Sequence, residues 1–162
     1  IGSRHATHEG SVVCGDANQV VSQLDERDLV FVDPPYSGVH YSRFYHVLET
    51  IARGHVGVVT GSGRYPPPSE RPFSSYSVRS QSEAALRSLF AGISKQGARA
   101  IVTFPAGSAS NGLSGDVVRS IASDYFSIKQ EKISTKFSTL GGNSKSRAAR
   151  QDAQELILTL MP

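Results

Sequence analysis

Residues 33–36, Asp-Pro-Pro-Tyr, combine three groups that can bind a ligand by hydrogen bonding and stacking. Asp33 and Pro34 each precede a proline, which moves both residues out of the helical region, and the two proline rings fix φ at successive positions. A carboxylate, a backbone carbonyl and an aromatic ring are therefore held in a fixed relation. The two oxygens can accept the hydrogens of an amino group, and the ring of Tyr36 can stack on a flat ligand.

The element that must position this 33–36 segment is the apolar run before it. Residues 29–32, Leu-Val-Phe-Val, follow the charged residues 25–28 and are typical of a strand buried on both faces. The 33–36 segment then lies at the carboxyl end of a strand, where open α/β sheets bind their ligands. A plain β-turn is the alternative, because Asp and Pro are common turn residues.

A second candidate site lies upstream. Residues 12–16 are predicted to form a short strand that ends at Gly15-Asp16, and residues 18–24 a short helix. Asp16 is equally consistent with a helix N-cap. The chain has one cysteine, Cys14, which excludes an internal disulfide, and its apolar neighbours predict a buried thiol.

The remaining sequence alternates predicted helices and strands, which indicates an α/β domain with a mainly parallel sheet. The predicted order is a helix over 42–52 that stops at Gly54, a long irregular segment over 54–79, a helix opened by a capping box at Ser80 and Glu83, a strand over 99–104, a short helix over 116–122, and strands over 125–133 and 155–160.

Composition fits one domain over residues 1–162, since 162 residues with 38% hydrophobic content can bury one core. The net charge is only +3, but residues 129–150 carry six lysines and arginines against one acid, which predicts a positive surface suited to nucleic acid. A solvated basic face is the alternative.

No apolar run is long enough to span a membrane, and we expect a cytoplasmic location. The sequence has no Cys/His cluster, so we expect no metal site.

The 33–36 segment and its flanks resemble the class I S-adenosylmethionine-dependent methyltransferases that modify exocyclic amines of bases. Residues 41–49, Tyr-Ser-Arg-Phe-Tyr-His-Val-Leu-Glu, resemble the segment that follows the motif in adenine-specific DNA methylases. Gly15-Asp16-Ala17 occupies the place of the acidic residue after a cofactor strand. The resemblance implies a Rossmann-like methyltransferase sheet with an antiparallel edge hairpin, and methyl transfer to N6 of adenine in DNA, as in restriction-modification systems.

The resemblance also implies roles for individual residues. Asp33, Pro34, Pro35 and Tyr36 would be catalytic, and Asp16 and Ala17 would contact S-adenosylmethionine. No metal is implied. The residues expected to contact the DNA substrate are Tyr41, Arg43, His46, Lys145 and Arg147, together with the irregular segment 54–79 as a substrate-contacting insert.

The chain departs from the family in one respect. Gly61-Ser62-Gly63 is followed by three prolines rather than by a helix, so it is not the family's glycine-rich cofactor loop. We therefore expect only the catalytic half here, with that loop on a segment upstream of Ile1 or on a partner chain. Three alternatives stay open: an RNA base as substrate, the N4 amine of cytosine, or a noncatalytic nucleic-acid-binding remnant.

Overall fold

The computed structural model describes residues 10–39, 41–137 and 151–162. Lys145 and Arg147 lie outside these residues. The helices are α1 (Ala17–Val20), α2 (Ser42–Arg53), α3 (Ser82–Lys95) and α4 (Gly115–Ser123), with 3-10 turns at Val21–Gln23, Pro68–Glu70 and Ser75–Ser77. The strands are β1 (Leu29–Val32), β2 (Arg99–Pro105), β3 (Ser127–Phe137) and β4 (Gln151–Met161).

The four strands form one sheet in the order β1-β2-β4-β3. β1 and β2 are parallel, with Val32 opposite Val102, whereas β4 pairs antiparallel with both β2 and β3. The α/β class and the antiparallel hairpin of β3 and β4 at one edge are thus confirmed. The prediction of a mainly parallel sheet is wrong for the described residues, because one strand pair is parallel and two are antiparallel.

The predicted strand over residues 12–16 explains part of this difference. The structure gives these residues no regular strand, and Val12 is 98% exposed. A strand requires a neighbour to satisfy its backbone groups, and β1 does not pair with this segment. Cys14 is exposed as well, so the prediction of a buried thiol is also wrong.

The core lies between one face of the sheet and helices α3 and α4. Alternate residues of β2, including Val102 and Phe104, are buried beneath Phe90 of α3 and Ile121 of α4. Phe90 meets Phe126 edge to face at 6.2 Å between ring centroids. This helix-on-sheet layer fixes the carboxyl ends of β1 and β2, which carry the candidate site.

The opposite face of the sheet is open at β1. Leu29 and Phe31 are exposed, at 58% and 66%, and only Val32 is buried. The prediction that this strand is buried on both faces is therefore wrong within the described chain, because α3 and α4 cover one face only and β1 is the edge strand.

Helix α2 begins and ends near its predicted bounds, and Gly54 adopts the left-handed conformation (φ 71°) that terminates a helix. Its apolar residues Val47, Leu48 and Ile51 are exposed, and α2 contacts no other helix or strand in the described ranges. The predicted capping box of α3 is wrong. The N-cap is Gln81 rather than Ser80, and it makes no side-chain capping bond.

Among the described residues, none of the helices is both long enough and apolar enough to cross a membrane.

Candidate active site

The 33–36 segment directly follows β1, and the neighbouring strand holds its carboxylate. Asp33 is exposed, whereas Pro34 is buried. The Thr103 hydroxyl donates to Asp33 Oδ1 at 3.3 Å. This contact follows from the parallel register, because Val32 pairs with Val102 and the next residues on the two strands are neighbours. The carboxylate is thus oriented by β2 yet open to a ligand.

The loop between β2 and α4 holds the other side of the segment. The Asn111 side-chain amide donates to the Pro35 carbonyl at 2.7 Å, and the Gly38 N–H donates to Ser110 Oγ at 3.0 Å. Sequence reasoning did not find Asn111 or Thr103. A buried asparagine in a Gly/Ser-rich loop has no local pattern that would separate it from the turn residues around it.

An open cavity of about 680 Å³ lies beside the 33–36 segment. Asp33, Pro34 and Pro35 line one side, and Asp16 and Ala17 line another. The structure therefore brings together the predicted catalytic and cofactor residues, apart from Tyr36, which does not line this cavity. Its volume lies within the usual range of small-molecule sites.

A third wall of the cavity comes from the long irregular segment and includes Phe73 and Tyr76. The Tyr76 hydroxyl donates to the Asn18 side-chain oxygen, and Asn18 Nδ2 donates to the Ala85 carbonyl at 3.0 Å. Burial, followed by the charge of Asp16, raises the pKa of Tyr76, so its phenol remains a hydrogen donor. The aromatic content of residues 54–79 was the available signal for this wall.

Asp16 begins the short helix next to the cavity. Its Oδ1 accepts from the Asn18 N–H at 2.9 Å, so its side chain is the N-cap of α1. The N-cap alternative is therefore correct for the backbone role of Asp16. A carboxylate accepts at both oxygens, and this capping bond uses Oδ1.

Tyrosines accompany the exposed carboxylate. Burial, followed by the charge of Asp33, raises the pKa of Tyr36. Burial, followed by the nearby Tyr36 and Asp33, raises the pKa of Tyr41 to about 12. Tyr41 and Tyr45 meet edge to face at 5.5 Å between centroids. Both Tyr36 and Tyr41 are therefore neutral at physiological pH and present uncharged rings near Asp33.

The other residues predicted to bind substrate are more scattered. His46 is half-buried and packs edge to face on Tyr65 at 5.0 Å between centroids, away from the residues that line the cavity. Arg43 lies in the first turn of α2. Tyr41 and His46 do not line the cavity. No cluster of three or more His, Cys, Asp or Glu side chains suited to a metal ion occurs in the part of the chain that the structure describes.

The raised pKa of Tyr41 predicts that the folded protein loses stability at alkaline pH. Its pKa in the folded protein, about 12, lies above the ordinary 10.0, so its contribution to stability is complete below pH 10 and is lost as the pH rises towards 12. Tyr41→Phe should therefore lose less free energy of unfolding over this interval than the wild-type chain. Urea unfolding at several pH values measures the difference; parallel pH curves for the two proteins would contradict it.

Comparison with known proteins identifies the family of the chain. The model of the D12 class N6 adenine-specific DNA methyltransferases matches residues 3–98, which is more than half of the chain. Modification methylase LlaI of Lactococcus lactis subsp. lactis is 37% identical over 76 residues, covering 46% of this chain and 12% of that methylase. No solved structure matches. The chain belongs to the D12 class of N6 adenine-specific DNA methyltransferases.

Proposed function

We propose that this chain carries the catalytic half of an enzyme that transfers a methyl group from S-adenosylmethionine to the N6 amine of adenine in DNA. The observation that carries the proposal is the 33–36 segment at the end of β1, with the Asp33 carboxylate exposed beside a cavity of about 680 Å³. Family membership supplies the class of reaction. We infer that the enzyme is site-specific and belongs to a restriction-modification system.

The cavity suits a nucleoside-sized cofactor. Apolar residues such as Val21 and Leu89 form much of its lining, with the carboxylates of Asp16 and Asp33 at its polar positions. Asp16 and Ala17 would hold S-adenosylmethionine, and Asp16 Oδ2 could accept a hydrogen from it. When bound, S-adenosylmethionine supplies an electrophilic methyl group on a sulfonium sulfur.

The chemical task of the protein is to make the adenine amine nucleophilic. The N6 lone pair is delocalised into the ring, so N6 must become more tetrahedral before it reacts. The Asp33 carboxylate and the Pro34 carbonyl would each accept one N–H and direct the lone pair towards the methyl group, a positional and electrostatic effect. Asp33 would then hold the proton that N6 loses.

Tyr36 would stack on the target base. A base inside a duplex cannot reach Asp33, so the target adenine must be turned out of the helix. Tyr36 is 37% exposed and follows the rigid prolines, which favours a fixed ring for the extruded base. Pro35 contributes by restricting the segment to one backbone shape.

The remaining contacts to DNA are part of the same proposal. The substrate would contact Tyr41, just before α2, and Arg43 and His46 on α2. It would also contact Lys145 and Arg147, in the basic residues 129–150, and the irregular segment 54–79. Arg64 and Arg71 place positive charge in that segment. Such contacts to phosphates would make DNA affinity depend on salt.

We further infer that the sheet is Rossmann-like and continues beyond β1. β1 is the edge strand of the described sheet, so one side of its backbone is open to a further strand, and Leu29 and Phe31 expose apolar surface on its uncovered face. An exposed apolar edge strand is unusual in a stable sheet. A parallel strand carrying the glycine-rich cofactor loop, from a preceding segment or a partner chain, would complete both the sheet and the cofactor site.

Methyl transfer from labelled S-adenosylmethionine tests the proposal. The intact protein that carries this chain should incorporate methyl groups into duplex DNA, and digestion to nucleosides should yield N6-methyladenine. N4-methylcytosine as the product, or a preference for RNA, would replace the proposed substrate. Salt-sensitive DNA binding without calorimetric binding of S-adenosylmethionine would favour a noncatalytic remnant.

A further inference from the structure

We propose that Asn111 is a positioning residue for methyl transfer, whose single carboxamide fixes the 33–36 segment relative to the Tyr76 wall of the cavity. The inference rests on the proposed function and extends it to a residue outside the motif. Asn111 is fully buried, in the loop between β2 and α4.

The Asn111 side chain makes three hydrogen bonds. Nδ2 donates to the Pro35 carbonyl at 2.7 Å and to the Tyr76 carbonyl at 3.0 Å, and Oδ1 accepts from the Leu113 N–H at 3.2 Å. A neutral carboxamide has two N–H donors. Both therefore bind backbone carbonyls from two separate walls of the candidate site.

The proline content of the motif explains why a side-chain donor is needed. Pro34 and Pro35 have no N–H, so the backbone of these two residues can be held only through its carbonyls. Holding the Pro35 carbonyl fixes the peptide plane between the proposed acceptor on Pro34 and the ring of Tyr36. A small rotation there would displace both groups from the base.

The second donor reaches the cofactor side of the cavity. Tyr76 is held at its carbonyl by Asn111, while its phenol donates to the Asn18 side chain on α1. α1 begins immediately after Asp16, the proposed cofactor contact. Hydrogen bonds at the two ends of Tyr76 thus join the proposed base site to the proposed cofactor site, and we expect the two sites to be coupled along this route.

Asn111 is itself rigidly anchored. Its carbonyl accepts from the Ser82 hydroxyl at 3.0 Å, and Ser82 is buried at the start of α3. The neighbouring Leu113 is buried in the core. The core therefore fixes the position of the carboxamide, and the carboxamide in turn fixes the 33–36 segment.

The test compares Asn111→Asp and Asn111→Ala with Ser114→Ala in the intact protein. Aspartate keeps the shape of Asn111 and an acceptor for Leu113, but when ionised it donates to neither carbonyl. Ser114 is in the same loop and caps α4 by accepting from the Val117 N–H at 3.3 Å, without contacting the site. Its loss should destabilise the fold in a comparable way, by the usual cost of a lost N-cap.

At a temperature well below every melting transition, both Asn111 variants should lower kcat about tenfold or more, as expected for a displaced reacting group. KM for DNA should change less than threefold, and calorimetry should show weaker binding of S-adenosylmethionine. Asn111→Asp should recover activity as the pH falls, because a protonated carboxyl regains one donor. Ser114→Ala should keep kcat within twofold of wild type.

Asn111 variants that melt at lower temperature but retain kcat and cofactor affinity within twofold would overturn the proposal and leave a purely structural role. If Asn111→Ala fails to fold, the isosteric Asn111→Asp decides the matter by the same two readouts. Failure of the wild-type protein to methylate adenine would instead refute the proposed function, and cofactor binding by the variants would then test the coupling alone.

Discussion

Replacing Asp33 with alanine is expected to lower the rate of methyl transfer by about a hundredfold to ten-thousandfold. The substitution removes the carboxylate that would accept an N–H from N6 and hold the released proton, and losses of this size follow removal of such groups. Single-turnover incorporation of labelled methyl groups, with saturating DNA and cofactor, measures the effect on the chemical step without a contribution from product release.

The loss should not come from unfolding, because Asp33 is exposed and its hydrogen bond to Thr103 lies at the surface. The melting temperature of Asp33→Ala should therefore stay close to that of wild type. Asp33→Asn provides a matched control, since it keeps the size and one acceptor oxygen but lacks the charge. Its rate should fall between those of wild type and Asp33→Ala. An Asp33→Ala protein with a rate within tenfold of wild type would end the catalytic claim.

Tyr36→Ala is expected to reduce kcat/KM for DNA by about 5-fold to 150-fold. A base stacked on an aromatic side chain contributes about 1–3 kcal/mol, and each 1.4 kcal/mol corresponds to about a factor of ten. Tyr36→Phe should retain most of the activity, because the ring and not the hydroxyl stacks.

The fluorescence of 2-aminopurine at the target position separates stacking from other causes. It should rise when wild-type protein or Tyr36→Phe turns the base out of the duplex, and the base should be less well held in Tyr36→Ala. Equal kcat/KM for the alanine and phenylalanine variants would show that the ring does not bind the base.

Local patterns in the sequence predicted the elements whose structure is decided by neighbouring residues. The strand before Asp33 and the helix that Gly54 ends follow from hydrophobic periodicity and stop signals. The antiparallel pairing of β3 with β4 was instead implied by the family resemblance. Asp16 and Asp33, which the motif and its flanks singled out, line the same cavity, and their roles there stay predictions.

Features that depend on distant parts of the chain could not be predicted in this way. The bond from Asn111 to Pro35 joins residues 76 positions apart. The predicted strand at residues 12–16 is wrong because strand formation requires a partner strand, which these residues lack in the described sheet. In each case a tertiary contact, or its absence, overrides the local preference.

The most direct test of the central claim is a crystal structure of the intact protein with DNA containing its target adenine and a non-reactive analogue of S-adenosylmethionine. We predict an adenine outside the duplex, with N6 at hydrogen-bonding distance, about 2.7–3.2 Å, from both the Asp33 carboxylate and the Pro34 carbonyl, and with its ring stacked on Tyr36. An adenine bound elsewhere, or with N6 bonded to other groups, would contradict the account.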